Sequence, residues 1–90
     1  MSSDEFETRR RRCLYRAQHR GTKEMDVLIG RYADAALAGP DAGSLAMWES
    51  LVQVPDPQLY DWIVNGAAVE VEAFAPVVAD IRRTNGLMED

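Results

Sequence analysis

Apolar residues recur at helical spacing along almost the whole chain. Between about residues 5 and 19, Phe6, Cys13, Leu14 and Ala17 fall within about a quarter of the helical wheel. Arg9, Arg12, Arg16 and Arg20 run beside them as a stripe, each three or four positions from the last. Gly21 follows as a natural C′ residue, because without a Cβ it accepts positive φ. Thr22 is placed to cap a second helix, with Glu24 and Asp26 in the first turn, where negative charge meets the positive end of the helix dipole. Met25, Leu28, Ile29, Tyr32 and Ala36 make an amphipathic stripe, and Gly39-Pro40 stops it.

Asp41 or Ser44 caps a third helix, with Leu45, Trp48, Leu51 and Val52 on one face and Val54-Pro55 as its end. Asp56-Pro57 reads as an Asp cap followed by proline at the first helical position. Leu59, Trp62 and Ile63 point inward from this short fourth helix, which Asn65-Gly66 closes. The stretch VEVEAF, residues 69–74, alternates like a strand, but no other segment is available to pair with it and Pro76 follows. It is read as part of a helix over roughly 70–84, or as the approach to one starting near Pro76, with Val77, Val78 and Ile81 buried. The pattern therefore predicts an all-α protein, a compact bundle of about five short helices forming a single domain over residues 1–90, with 1–5 and 86–90 frayed.

Composition narrows the function classes. The chain has 90 residues, 47% of them apolar, which suits one small domain and not a disordered tail. Cys13 and His19 are its single cysteine and single histidine, so no intrachain disulfide and no Cys/His metal site can form. No run approaches the apolar length of a membrane-spanning helix, and the acidic start MSSDEFE resembles neither a signal peptide nor a transit peptide. The net charge of −5 is uneven. Residues 1–31 carry eight basic and five acidic residues, whereas residues 32–90 carry two basic and ten acidic. That polarity orients a protein partner during encounter, and the acidic body repels a phosphate backbone, so RRRR at 9–12 is read as a solvated or protein-facing helix surface and not a nucleic-acid site.

Catalytic chemistry finds no support. His19 has no Ser, Cys or carboxylate spaced to act with it, Cys13 lies on an apolar face, and Trp48 and Trp62 sit at core spacing. GxGxxG and GxxxxGK[ST] are both absent, so no phosphate-cradling loop is encoded. What remains is the joint HRGTKE at 19–24, with the pattern R-G-x-x-E. As a turn between helices it needs no function. Yet Gly21 leaves a bare spot where a partner's backbone can come close, Arg20 offers a planar five-donor fork beside it, and Glu24 offers an acceptor.

Three segments in the same order carry a family likeness: RRRCLYRAQHRGTKEMDVLIGRYAD, then SLAMWESLVQVPDPQLYDWIVNG, then IRRTN. Over about residues 9–85 the chain resembles the small helical assembly factors that promote covalent attachment of FAD to the flavoprotein subunit of succinate dehydrogenase. The resemblance implies a five-helix fold and a partner-binding face at Arg20, Gly21 and Glu24, with Thr22, Lys23 and Asp26 adjacent. It implies an assembly factor and not an enzyme: the nucleophilic histidine belongs to the partner, no catalytic residue or metal is needed, and no cofactor is bound stably. The implied partner is the flavoprotein subunit of succinate dehydrogenase, with that of fumarate reductase as a second client. No nucleic acid or membrane is involved, and the protein is expected to be a bacterial cytoplasmic monomer. The alternative is a generic interaction domain, antitoxin-like, without a flavin role.

Overall fold

The computed structural model describes residues 2–39 and 41–87. Among them are five helices and no strand: α1 (Ser3–Gln18), α2 (Lys23–Ala36), α3 (Ala42–Leu51), α4 (Asp56–Ile63) and α5 (Ala75–Thr84). Two compact units divide the chain, one up to Gln53 and the other from Val54 onward.

In the first unit α1 packs on both α2 and α3. Each helix starts with a side-chain cap: Ser2 accepts from the Glu5 amide, Thr22 from Met25 and Asp41 from Ser44, satisfying donors that have no partner inside the helix. The Ser2 cap starts α1 at Ser3, ahead of the position that periodicity indicated. Cys13, Ala17, Met25, Ile29, Leu45, Trp48 and Leu51 are buried. The α2 face is turned slightly from the expected stripe. Met25, Ile29, Ala33 and Leu37 are buried, while Leu28, Tyr32 and Ala36 are only half-buried. Gly30 explains the turn. It is buried in mid-helix, and a Cβ there would stand 3.0 Å from the Gln18 Cα, so α2 can carry no side chain where it meets Gln18 of α1. The expected stop at Pro40 lies outside the described residues.

In the second unit α4 and α5 pack together, with Leu59, Trp62, Ile63, Phe74, Val78 and Ile81 buried. Neither helix has a side-chain cap; each instead carries a proline in its first turn, where the missing N–H is not needed. The carbonyl of Pro55 accepts from both Gln58 and Leu59, so α4 starts at Asp56 rather than using Asp56 as its cap. Of the two starts expected for the last helix, residue 70 and the neighbourhood of Pro76, the second is found: α5 begins at Ala75. Residues 69–71 are irregular and 72–74 form a turn with the Phe74 amide on the Val71 carbonyl. Pro76 sets that start, because a helix running through it from residue 70 would lose a hydrogen bond and kink.

The end of the second unit is held rather than loose. The Leu87 amide donates to the Arg82 carbonyl at 2.8 Å, and the Arg82 guanidinium donates back to the Leu87 carbonyl at 2.8 Å. The last three residues and Met1, expected to fray, lie outside the described residues.

Candidate functional site

The HRGTKE joint is built from both flanking helices. α1 ends at Gln18, and His19, its C-cap, lays its ring on Tyr15 at 4.0 Å between centroids. The His19 Nδ1 lies 2.8 Å from the Tyr15 carbonyl, which can only accept, so that nitrogen carries the proton. Gly21 then takes φ 103°, a conformation that favours glycine. It sits two residues beyond the cap, one further than the C′ position expected.

The six residues expected at the site are all brought to this joint, in two groups. Arg20 and Asp26 are half-buried and face inward. The Arg20 amide donates to Asp26 Oδ1, and its Nη1 donates to the Val52 carbonyl at 2.7 Å, reaching the C-cap residue of α3. Thr22 Oγ1 caps α2 at Met25, and its carbonyl accepts from the Asp26 amide. Gly21, Thr22, Lys23 and Glu24 are exposed. The arginine expected to stand open beside the glycine therefore braces the turn from inside, while the glycine, the lysine and the glutamate present its outer surface. Asp26 was expected beside the site and is a strut of it. The Val52 carbonyl was not foreseen, since nothing in the spacing couples position 20 to a backbone atom 32 residues away.

The arginine run is also mostly occupied within the chain. Arg9 makes a two-point ion pair with Glu49, and Arg10 holds Glu7 while donating to the Leu37 carbonyl at 2.9 Å. Arg11 shares Glu7. The hydrogen bond from Arg10 holds the Glu7 carboxyl down to about 2, and that from Arg9 holds Glu49 below the ordinary carboxylate range. Burial, helped by the charge of Glu49, pushes the Cys13 thiol up to about 11, which suits an inert core residue. Among the described residues no cluster of three or more His, Cys, Asp or Glu side chains could hold a metal ion, and no helix is long and apolar enough to cross a membrane.

The model of the family described as flavinator of succinate dehydrogenase matches residues 11–85. The chain belongs to this family. The likeness extends to an FAD assembly factor of Acetobacter pasteurianus, 36% identical over 87% of this chain and 72% of that protein. A mitochondrial succinate dehydrogenase assembly factor 2 from Dictyostelium discoideum is 34% identical over 76% of this chain, which spans about half of that longer protein, 48%. An FAD assembly factor of Coxiella burnetii is 27% identical over 71% of this chain and 78% of its own length. No solved structure matches the chain. The matched span contains the whole joint and runs into the segment after α5, so the flavinator family covers both units.

Proposed function

We propose that this chain is an assembly factor that binds the flavoprotein subunit of succinate dehydrogenase and promotes covalent attachment of FAD to a histidine of that subunit. The observation that carries the reading is the exposed, side-chain-free Gly21 held at φ 103° in a turn braced from within, in a chain of the flavinator family. A partner backbone can approach Gly21 to a distance that a Cβ would forbid. Lys23 and Glu24 beside it supply one charge of each sign for register. Arg20, Thr22 and Asp26 keep that surface in one shape, which lowers the ordering cost of binding.

The contribution to flavinylation is geometric. The attacking histidine and the flavin both belong to the partner, and the factor stabilises the conformation in which they meet. Holding two groups in near-attack geometry can lower a barrier by several kcal/mol, up to roughly 7–11 in ideal intramolecular cases. The factor achieves this only through a higher affinity for the reactive conformation than for the others. It supplies no nucleophile and keeps no cofactor of its own. It works as a monomer in the bacterial cytoplasm, and the flavoprotein of fumarate reductase is a second client.

The test is in-gel flavin fluorescence of the denatured flavoprotein after incubation with wild type, Gly21→Ala or Gly21→Arg. Alanine adds one Cβ at the contact together with backbone strain, at about 1–2 kcal/mol for a residue forced to positive φ. Gly21→Ala should lose part of the covalent flavin and Gly21→Arg nearly all of it, with both variants helical by circular dichroism. Flavinylation at the wild-type rate with Gly21→Arg overturns the assigned face. A dominant captured protein other than a flavoprotein subunit points to the generic interaction domain.

A further inference from the structure

Arg9, Arg12 and Arg16 of α1 and Arg20 just beyond it form one ladder, and its two ends are tied to α3 and its C-cap. Arg9 grips the Glu49 carboxylate, and Arg20 reaches the Val52 carbonyl. The rungs between them differ. Arg12 and Arg16 are exposed, and among the described residues no hydrogen bond or ion pair holds either one. Between α1 and α3 lies a half-open cleft of about 210 Å³, lined by Arg9, Arg12, Arg16, Glu49, Val52 and Gln53, with Cys13 behind them. Three guanidiniums face one carboxylate, so the cleft carries an excess of positive charge in a chain whose net charge is −5.

We infer that this cleft is a second docking point, taking an acidic side chain from a partner polypeptide onto Arg12 and Arg16. A carboxylate is the ligand these residues suit: the same cleft already holds one, Glu49, in the two-point grip of Arg9, and a guanidinium fork matches a carboxylate in that geometry. Gln53 adds an amide that can donate to the same guest. A nucleic-acid strand fits poorly, because residues 32–90 carry ten acids against two basic residues. The cleft and the Gly21 turn adjoin through Val52, which lines the first and accepts from Arg20 of the second. A partner seated on the turn thus meets the cleft along the same helix. The inference rests on the proposed function only for which partner this is.

The experiment titrates the full isotope-labelled chain with an acetylated hexaglutamate peptide and, separately, with inorganic phosphate, following the side-chain N–H signals of Arg12, Arg16 and Gln53. The peptide should move these signals saturably, and rising salt should weaken the effect. Replacing either arginine, as Arg12→Gln or Arg16→Gln, should weaken binding roughly three- to fivefold, the range of an exposed charge pair. The double variant should melt close to the wild type, because among the described residues neither side chain makes a hydrogen bond or ion pair and Arg12 acts on Glu49 only through its charge. It should also capture less flavoprotein. Gly21→Arg should lose flavoprotein capture and keep the peptide titration, which separates the two surfaces. A peptide that leaves the three signals unmoved, or phosphate that binds as tightly as the peptide, overturns the inference while leaving the Gly21 docking reading intact. Wild-type flavoprotein capture by the double variant also overturns it.

Discussion

The two units start their helices by different means and finish them by the same one. Up to Gln53, α1, α2 and α3 begin with Ser2, Thr22 and Asp41 accepting from amides three residues on. From Val54 onward, α4 and α5 begin with prolines and have no side-chain cap. At the other end the contrast disappears. α2, α3 and α4 have no basic residue in the last turn, although cations are favoured there. Each is served instead by an arginine from elsewhere in its own unit: Arg10 on the Leu37 carbonyl, Arg20 on Val52, and Arg82 on Ile63 at 2.6 Å. Helix starts here are local events, whereas the ends of α2, α3 and α4 are completed by tertiary contacts. The arginine of the candidate site is one of these end-fillers, so its first task is to fix the shape of the surface that Gly21 exposes.

That contrast can be broken at its ends first. Arg82 reaches the carbonyls of Ile63 and Leu87 together, so Arg82→Met leaves two acceptors short and should cost roughly 2–3 kcal/mol. The loss should appear as a lower melting temperature and as faster amide exchange at Leu87. Arg20→Met removes the charged hydrogen bond to the Val52 carbonyl, a loss of about 1–2 kcal/mol. It should lower flavoprotein capture by loosening the turn, and Arg20→Lys should recover only part, since an ammonium lacks the planar fork. Equal melting temperatures for wild type and both Met variants would remove the claim that helix ends depend on these arginines.

Helix starts should give smaller and purely local effects. Thr22→Ala or Asp41→Ala should each cost about 1 kcal/mol, the usual value of a side-chain cap, with exchange quickened in the first turn of α2 or α3 only. No counterpart exists in α4 and α5, where the prolines stand in.

The mildest effect is acid sensitivity confined to the first unit. Glu7 and Glu49 are held below their ordinary range by Arg10 and Arg9, Glu7 from 4.5 to about 2. A depressed carboxylate stabilises the fold fully above its unfolded value and ceases to do so as pH falls through the folded one. Stability should therefore decline from about pH 4.5 toward pH 2, and Glu7→Gln should flatten the decline. Both pairs are only half-buried, so solvent screens them and the amplitude is small and shrinks with salt. A pH profile that Glu7→Gln leaves unchanged would show that these ion pairs play no part in it.

Much of the fold was legible because it is written at short range. Thr22 with Met25, Asp41 with Ser44 and Pro57 or Pro76 in a first turn are signals read within one turn of helix. The same holds for the core positions Leu45, Trp48, Leu51, Leu59, Trp62, Ile63, Val77, Val78 and Ile81, which share one face at helical period and are all buried. Phe74 and the twist of the α2 face escaped that reading. The first sits before its helix, and the second depends on Gly30 meeting Gln18 across a helix crossing. At the joint, the positive φ of Gly21 and the cap at Thr22 were readable. The direction of Arg20 was not, because a flexible side chain among several arginines goes to whichever acceptor folding brings near, here a carbonyl 32 positions away.

The sequence by itself determined that five helices form, where α2 and α3 begin, most of the faces they bury, and that a bare glycine flanked by charge would sit between the first two. Those features depend on periodicity, capping and allowed dihedrals, which act over a few residues. Only the tertiary structure decided which arginines close helix ends, which one braces the turn, and which two are left facing a cleft. That assignment belongs to long side chains with many rotamers, and it is settled by the carbonyls and carboxylates that packing brings within reach.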